Sequence, residues 1–98
     1  MSFTLRFTTD AKQAFERLQT DPGLSKRYKA VKKALGYLET NPRHPGLNTH
    51  KYNAKRGPKG EEVFEAYAEH KTPAAYRVFW YYGPEKKEIT ILAITPHP

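Results

Sequence analysis

The chain is 98 residues long, contains no cysteine and carries a net charge of +7. This length supports one domain with a single modest core, so residues 1–98 are expected to form one domain. The lack of cysteine excludes a disulfide framework and a cysteine-based zinc site, and no apolar run is long enough to cross a membrane. We therefore expect a cytoplasmic protein with no membrane partner.

Positive charge is concentrated in the middle of the chain. Between Pro22 and Gly60 there are ten Lys or Arg residues and one acid, Glu39, so this segment carries +9 and the remainder −2. Such clustering favours a polyanionic partner, with nucleic acid first and an acidic protein second. A solvated basic surface that maintains solubility is the alternative.

The chain begins with a predicted strand and helix. Apolar and polar residues alternate over Ser2–Phe7, as in a short strand with one buried face. Thr8-Thr9-Asp10 then supplies an N-cap and a first-turn acid for a helix. The apolar positions of this helix recur on one face, and they are Ala11, Ala14, Phe15 and Leu18.

A second helix is predicted after the interruption Thr20–Gly23. Asp21 or Ser25 is its expected cap, and Thr40-Asn41-Pro42 ends it. The short connection favours an antiparallel helix pair that packs on one face of a sheet. The apolar stripe of this second helix contains Leu24, Tyr28, Val31, Leu35 and Leu38.

The segment Arg43–Gly60 has a different character. It contains no acid and is rich in Gly, Pro and Asn, so it is predicted to be a loop with a brief strand over Leu47–Tyr52. A strand is expected next over Val63–Glu69, followed by a turn at His70–Pro73.

The C-terminal part of the chain predicts a hairpin. Ala74–Tyr82 is dense in aromatic and β-branched residues, Gly83–Lys87 has turn chemistry, and Ile89–Thr95 is a second apolar run. The near-continuous apolar character of the first run is typical of a strand buried on both faces. The predicted fold is a two-layer α+β domain, with the N-terminal strand and helical pair against a small, mostly antiparallel sheet.

Arg77 is the one charged residue within the apolar run Ala74–Tyr82. Charged side chains are seldom buried without a partner, so Arg77 should either pair with an acid or face a functional surface. Glu65, on the preceding predicted strand, is the first candidate for such an acid. With the helices on one side of the sheet, the opposite face is left for Arg77 and its neighbours.

Short patterns along nearly the whole chain are similar to those of one known family. The second helix is followed by Asn41-Pro42, Pro45-Gly46-Leu47 and His50-Lys51-Tyr52. A later strand reads Tyr76-Arg77-Val78-Phe79-Trp80, and the last run is Leu92–Pro98. In order and spacing, the chain resembles the RelE/ParE toxin superfamily of bacterial toxin–antitoxin modules. The resemblance is closest to the YoeB/RelE-type branch of mRNA interferases.

The resemblance implies an endoribonuclease that cleaves messenger RNA in the ribosomal A site. Its partners would be the mRNA, the ribosome and a cognate antitoxin, with no small-molecule cofactor. Two positions depart from the YoeB-type pattern: Pro98 stands where that branch has an aromatic residue, and His44-Pro45 occupy a connection that contains Glu there. The ParE branch shares the fold and inhibits DNA gyrase without nuclease residues, so a gyrase inhibitor or an inert relative is the alternative.

RNA cleavage without a metal needs a base, an acid and a cation for the phosphate. Arg77 suits the phosphate, because a guanidinium presents a rigid fork of donors. His97 suits acid or base chemistry, since imidazole titrates near neutral pH. His50 and His44 are alternative bases, and each could equally cap a backbone group. Glu65 could be a base or only the counter-ion of Arg77.

Basic residues beside Gly57-Pro58 are the candidates for holding an RNA backbone. They are Lys51, Lys55, Arg56 and Lys59. Tyr81, Tyr67 or Tyr52 could stack on a base, with packing inside the sheet as the alternative role of Tyr81. The four histidines show no compact ligand spacing and no acid pairs with them, so no metal site is expected.

Overall fold

The structure, a computed structural model, describes residues 2–97. Pro98, one of the two departures noted above, lies outside the described residues. The elements in chain order are β1 (Thr4–Phe7), α1 (Thr9–Thr20), α2 (Ser25–Thr40), β2 (His50–Arg56), β3 (Glu62–Tyr67), β4 (Tyr76–Tyr82) and β5 (Glu88–Pro96). Short 3-10 turns, Pro22–Leu24 and Pro45–Leu47, precede α2 and β2. No helix within residues 2–97 is both long enough and apolar enough to cross a membrane.

The strands form one sheet in the order β1-β5-β4-β3-β2. Only the pairing of β1 with β5 is parallel, and the three other pairings are antiparallel. The two helices pack on one side of this sheet, against β4 and β5. The predicted two-layer α+β architecture is therefore confirmed. We call the side covered by the helices the helical face and the other side the open face.

The predicted N-caps lie at the expected residues, but Asp21 caps a different element from the one predicted. Thr8 caps α1, where its hydroxyl oxygen accepts a hydrogen bond of 3.1 Å from the Ala11 amide. Asp21 caps the 3-10 turn, accepting 2.9 Å from the Gly23 amide, rather than α2 itself. Helix α2 begins at Ser25 without a side-chain cap, because the preceding turn already leads the chain into the helix.

The central strand β4 is buried on both sides, as its composition predicted. Successive side chains of a strand point to opposite faces, so Val78 and Trp80 join the large core under the helices. Phe79 and Tyr81 join a smaller cluster with Val63 on the open face. The sheet thus separates two apolar clusters of unequal size.

The prediction for Arg43–Gly60 is wrong in part. Instead of a loop with a strand over Leu47–Tyr52, the structure has a 3-10 turn that ends at the buried Leu47 and a seven-residue strand, β2. Six of the seven residues of β2 are exposed and the seventh is partly buried. An edge strand exposed on both faces has no alternating apolar pattern, which is why its sequence resembles that of a loop.

Candidate functional site

A row of polar residues crosses the open face from β2 to β5. His50 pairs in register with Glu65 on β3, and Tyr67, two residues further along β3, pairs with Arg77 on β4. Arg77 in turn pairs with Thr95 on β5. At a strand separation of about 4.8 Å, the row extends roughly 14 Å across four strands. The row thus joins residues of four neighbouring strands on one face of the sheet.

Arg77 is held at the centre of this row by several contacts. Its Nε lies 3.5 Å from a carboxylate oxygen of Glu65, and its Nη1 donates a 2.7 Å hydrogen bond to the carbonyl oxygen of Glu69. The guanidinium carbon is 3.6 Å from the centroid of the Tyr67 ring. Arg77 is only 6% exposed, and its Nε has no hydrogen-bond partner among residues 2–97. Arg77 thus both pairs with an acid and lies on the helix-free side.

His97 follows β5 directly and is exposed. Its backbone amide donates a 2.7 Å hydrogen bond to the carbonyl oxygen of Ala75, which continues the pairing of β5 with β4. Because Arg77 pairs with Thr95, His97 comes two residues beyond the partner of Arg77 on the neighbouring strand. The two residues predicted to cooperate therefore lie at the same end of the β4–β5 pair.

The other predicted bases have different surroundings. His50 is exposed in the polar row, with its ring 5.7 Å from that of Tyr67. His44 instead stacks on Tyr37 at 3.8 Å between ring centroids, and its Nδ1 accepts a 2.9 Å hydrogen bond from the Gly46 amide. His44 therefore has the capping role that was its alternative, and His50 is the imidazole that belongs to the row.

The predicted phosphate-binding residues lie along β2 and in the turn after it. Lys51 lies 3.5 Å from a carboxylate oxygen of Glu62, although both side chains are well exposed. Arg56 ends the strand, and Lys59 is exposed in the turn to β3. Lys55 is exposed on the same strand. These four cations form a basic edge beside the polar row.

The expectation that Tyr81 stacks on a base requires correction. Tyr81 is 6% exposed and packs with Val63 and Phe79, so its ring is not available to a ligand. Tyr52, an alternative, is partly exposed, and its ring centroid lies 4.7 Å from that of Phe79. A cleft of about 200 Å³ opens there. We call it the open-face cleft, and it is lined by Tyr52, Lys55, Phe79, Ala93, Thr95 and Pro96.

Sequence reasoning missed how tightly Arg77 is enclosed. The alternation of β3 places Tyr67 on the same side as Glu65, but the register that sets Tyr67 opposite Arg77 depends on the long turn between β3 and β4. The carbonyl group of Glu69 carries no sequence signal at all. Thr95, the partner of Arg77 on β5, was likewise not singled out.

Possible metal ligands are scattered over the described part of the chain. No group of three or more His, Asp or Glu side chains there is close enough to hold a metal ion. The arrangement on the open face can instead supply a guanidinium, an imidazole, a carboxylate and a basic edge. Those are the groups that acid–base chemistry on a phosphodiester requires.

Comparison with known proteins gives similar solved structures. A scan against protein-family models gives no match, and neither does a search of curated proteins. The chain is similar to one in the archaeal RelE-RelB complex from Pyrococcus horikoshii OT3, with 21% identity, a TM-score of 0.66 and coverage of 98% of this chain and 96% of that chain. It is also similar to the YoeB/ParE toxin from Agrobacterium tumefaciens, with 10% identity, a TM-score of 0.69 and coverage of 97% and 99%.

A third similar structure is the YoeB dimer from Staphylococcus aureus, with 14% identity, a TM-score of 0.65 and coverage of 100% of both chains. At such identities the likeness is one of backbone fold, and it extends over nearly the whole length of every chain compared. The resemblance expected from the sequence is confirmed at that level. The chain has the fold of the RelE and YoeB/ParE toxins.

Proposed function

We propose that the protein is the toxin of a toxin–antitoxin module and an endoribonuclease that cleaves messenger RNA in the ribosomal A site. The observation that carries this proposal is the polar row, in which Arg77 lies between Glu65 and Thr95 with His97 just beyond. The shared fold with RelE and YoeB toxins supports the same class of activity. Cytoplasmic messenger RNA would be the substrate.

Arg77 would stabilise the phosphate as charge develops on it. A guanidinium binds phosphate oxygens through parallel N–H donors, and Nε of Arg77 has no hydrogen-bond partner among the described residues. The phosphate would replace Glu65 as the nearest anion. The ring of Tyr67 covers one side of the guanidinium, so a phosphate would approach its edge or displace that ring.

The acid and base would come from opposite sides of Arg77 in the polar row. Glu65 or His50 would take the proton from a 2′-hydroxyl, whose oxygen then attacks the adjacent phosphorus. The bond from phosphorus to the 5′-oxygen breaks, and His97 gives that oxygen a proton. The expected products are a 2′,3′-cyclic phosphate and a free 5′-hydroxyl. This reaction requires neither a metal nor a cofactor.

The open-face cleft and the basic edge would position the RNA. Tyr52 and Phe79 give the cleft an apolar floor suited to a base, and Lys55 lies at its rim. Along β2, Lys51 and Arg56 would contact backbone phosphates together with Lys59 in the turn. Each of these side chains is exposed, so together they would set the affinity for RNA rather than the rate of cleavage.

A cognate antitoxin is the expected protein partner. One of the similar structures is a RelE-RelB complex, and the segment from Pro22 to Gly60 carries +9, which suits an acidic partner. An antitoxin that covers the open face would block the polar row. Co-expression with the gene product encoded next to it should therefore suppress toxicity.

The test is cleavage of a defined mRNA on purified ribosomes. We expect cuts within codons that depend on the ribosome, and Arg77→Ala and His97→Ala should each lower the rate by about 100-fold or more. Lys86→Ala, in the exposed turn at the far end of β4, is the matched control and should retain full activity. If both site variants cleave as the parent does, the polar row is not the catalytic site, and a parent protein that leaves the mRNA intact would contradict the nuclease assignment itself.

A gyrase inhibitor is the second candidate, and the burial of Arg77 favours it. A guanidinium that is 6% exposed beside Glu65 is also what a purely structural ion pair would show. A purified supercoiling assay separates the two candidates. Loss of gyrase activity with intact mRNA on ribosomes would establish the inhibitor, whereas unaffected supercoiling would exclude it.

A further inference from the structure

A second cleft lies on the helical face, at the opposite end of β4 from Arg77. It encloses about 530 Å³, within the range of small-molecule sites. We call it the aromatic cleft, and the lining residues used below are Arg43, His44, Thr49, Phe64, Trp80 and Tyr82. Arg77 and Tyr82 are five residues apart on β4, so the two sites are about 17 Å apart along the strand. They also lie on different sides of the sheet.

Two buried polar atoms in this cleft have no partner among residues 2–97. They are the indole Nε1 of Trp80 and the hydroxyl oxygen of Thr49. Trp80 is 1% exposed, so its N–H is removed from bulk water. A buried donor without an acceptor is unfavourable, because it has lost its hydrogen bond to water and gained none in return. Because both atoms are closed to solvent, an acceptor atom of a ligand would reach them only after a side chain of the cleft wall shifts, and the hydrogen bonds formed would then add to apolar contact.

The aromatic side chains of the cleft offer a stacking surface. Phe64 and Trp80 are stacked, with their ring centroids 4.9 Å apart and their planes inclined by 28°. Tyr82 meets Trp80 edge-on at 4.9 Å and is 43% exposed, which makes it one of the few large apolar residues at the surface. A planar ring can reach the exposed side of Tyr82 from solvent.

The rim opposite the aromatic rings is fixed and positively charged. His44 is held by its stack on Tyr37, and the Arg43 amide donates a 3.1 Å hydrogen bond to the side chain of Asn41. The Arg43 side chain is exposed and forms no ion pair with the carboxylates of residues 2–97. An anionic group on the ligand would find this guanidinium available.

We propose that the aromatic cleft binds one nucleotide of single-stranded RNA. The base stacks on Tyr82 and the phosphate pairs with Arg43, and a small shift of the cleft wall lets acceptor atoms of the base meet the donors of Trp80 and Thr49. Aromatic stacking with a cation nearby is how proteins hold unstacked bases. The site requires no catalysis at Arg77, so it stands whether the protein cleaves RNA or not.

The single tryptophan makes the test direct. In ¹⁵N-labelled protein, the indole N–H signal belongs to Trp80 alone and reports occupancy of the aromatic cleft. Titration with uridine and adenosine 5′-monophosphates should shift this signal in a saturable way. Tyr82→Ala should weaken binding by about 5- to 100-fold, since one stacked base contributes that much. Arg43→Gln should weaken the binding of nucleotides but leave the binding of uncharged nucleosides unchanged.

Two matched variants define the site. Tyr52→Ala removes the ring of the open-face cleft and should leave the nucleotide affinity measured at Trp80 unchanged. Thr49→Val keeps the shape of that side chain and removes its hydroxyl, so it should weaken binding without loss of folding. No shift of the indole signal by any nucleotide would overturn the proposal. A shift caused only by a short acidic peptide would overturn it too, because the cleft would then be a protein-binding site.

Discussion

The helical face and the open face of the same sheet bury their central residues by different means. On the helical face, α1 and α2 cover side chains such as Val78 and Trp80. On the open face, Val63 and Arg77 are covered by side chains of their own sheet and its turns, within residues 2–97. Both kinds of residue are nearly inaccessible, but only the first kind is enclosed by a second layer.

This difference separates the residues that stabilise the fold from the residues that we propose for catalysis. Packing two helices on a sheet removes apolar surface from water and supplies most of the favourable free energy of folding. A buried guanidinium does the reverse, because its desolvation offsets much of the attraction to its counter-ion. Arg77 is thus poorly explained by stability alone, and within residues 2–97 no second layer covers it on the open face.

The largest expected effect on stability comes from removal of one partner of the buried ion pair. Glu65→Ala leaves Arg77 without its counter-ion, and we expect the free energy of unfolding to fall by about 3 kcal/mol. Urea denaturation measures this fall. The double variant Arg77→Met with Glu65→Leu should recover most of it, since two apolar residues leave no charge uncompensated. A double variant as unstable as the single one would show that the pair itself stabilises the fold.

Two valines give a matched comparison of the faces. Val78 on the helical face and Val63 on the open face are both fully buried. Val78→Ala should lower the free energy of unfolding by about 2 to 3 kcal/mol, and Val63→Ala by about 1 to 2 kcal/mol, because the uncovered face can relax around the lost atoms. Equal losses in thermal and urea unfolding would contradict the idea that the open face is the more adaptable one.

The cover on Arg77 can be removed without touching the ion pair. Tyr67→Ala deletes the ring 3.6 Å from the guanidinium, and the loss of this cation–π contact should lower the free energy of unfolding by about 1 kcal/mol. Tyr67→Phe keeps the ring and should be close to the parent. In the ribosome assay, the Ala variant tests whether the ring limits access to Arg77: a higher apparent affinity for RNA is expected, and a lower one would instead make Tyr67 part of the binding surface.

The smallest stability effect is expected at the exposed pair on β2. Lys51 and Glu62 are 3.5 Å apart in solvent, so Lys51→Ala should change the free energy of unfolding by less than about 0.5 kcal/mol. Its effect should appear in RNA binding instead. The slope of the logarithm of the affinity against the logarithm of the salt concentration should fall in magnitude by about one. An unchanged salt dependence would place Lys51 outside the RNA-binding surface.

Much of the fold was predictable because local patterns and tertiary structure agree. The cap at Thr8, the apolar stripe of α2 and the double burial of β4 all follow from residue type and spacing. Strand β2 was not fully predictable, since an exposed edge strand is defined by its neighbour rather than by its own residues. Sequence patterns identify an element best where that element carries its own buried face.

The candidate site was predictable in its members but not in its geometry. The sequence correctly named Glu65 as the acid that pairs with Arg77, whereas the burial of Tyr81 depends on side chains contributed by other strands. The contact of Tyr67 with Arg77 depends on a register set by the turn after β3. Pairings between strands so far apart in sequence leave no trace in a single local window.

The place of β5 in the sheet has a consequence for how the protein is made. β5 lies between β1 and β4, so β1 has no hydrogen-bonded neighbour until residues 88–96 have been synthesised. The polar row acquires Thr95 at the same moment. A nascent chain still inside the ribosome that translates it therefore carries Arg77 without the β5 part of the polar row, and the row is complete only after that ribosome has released this strand.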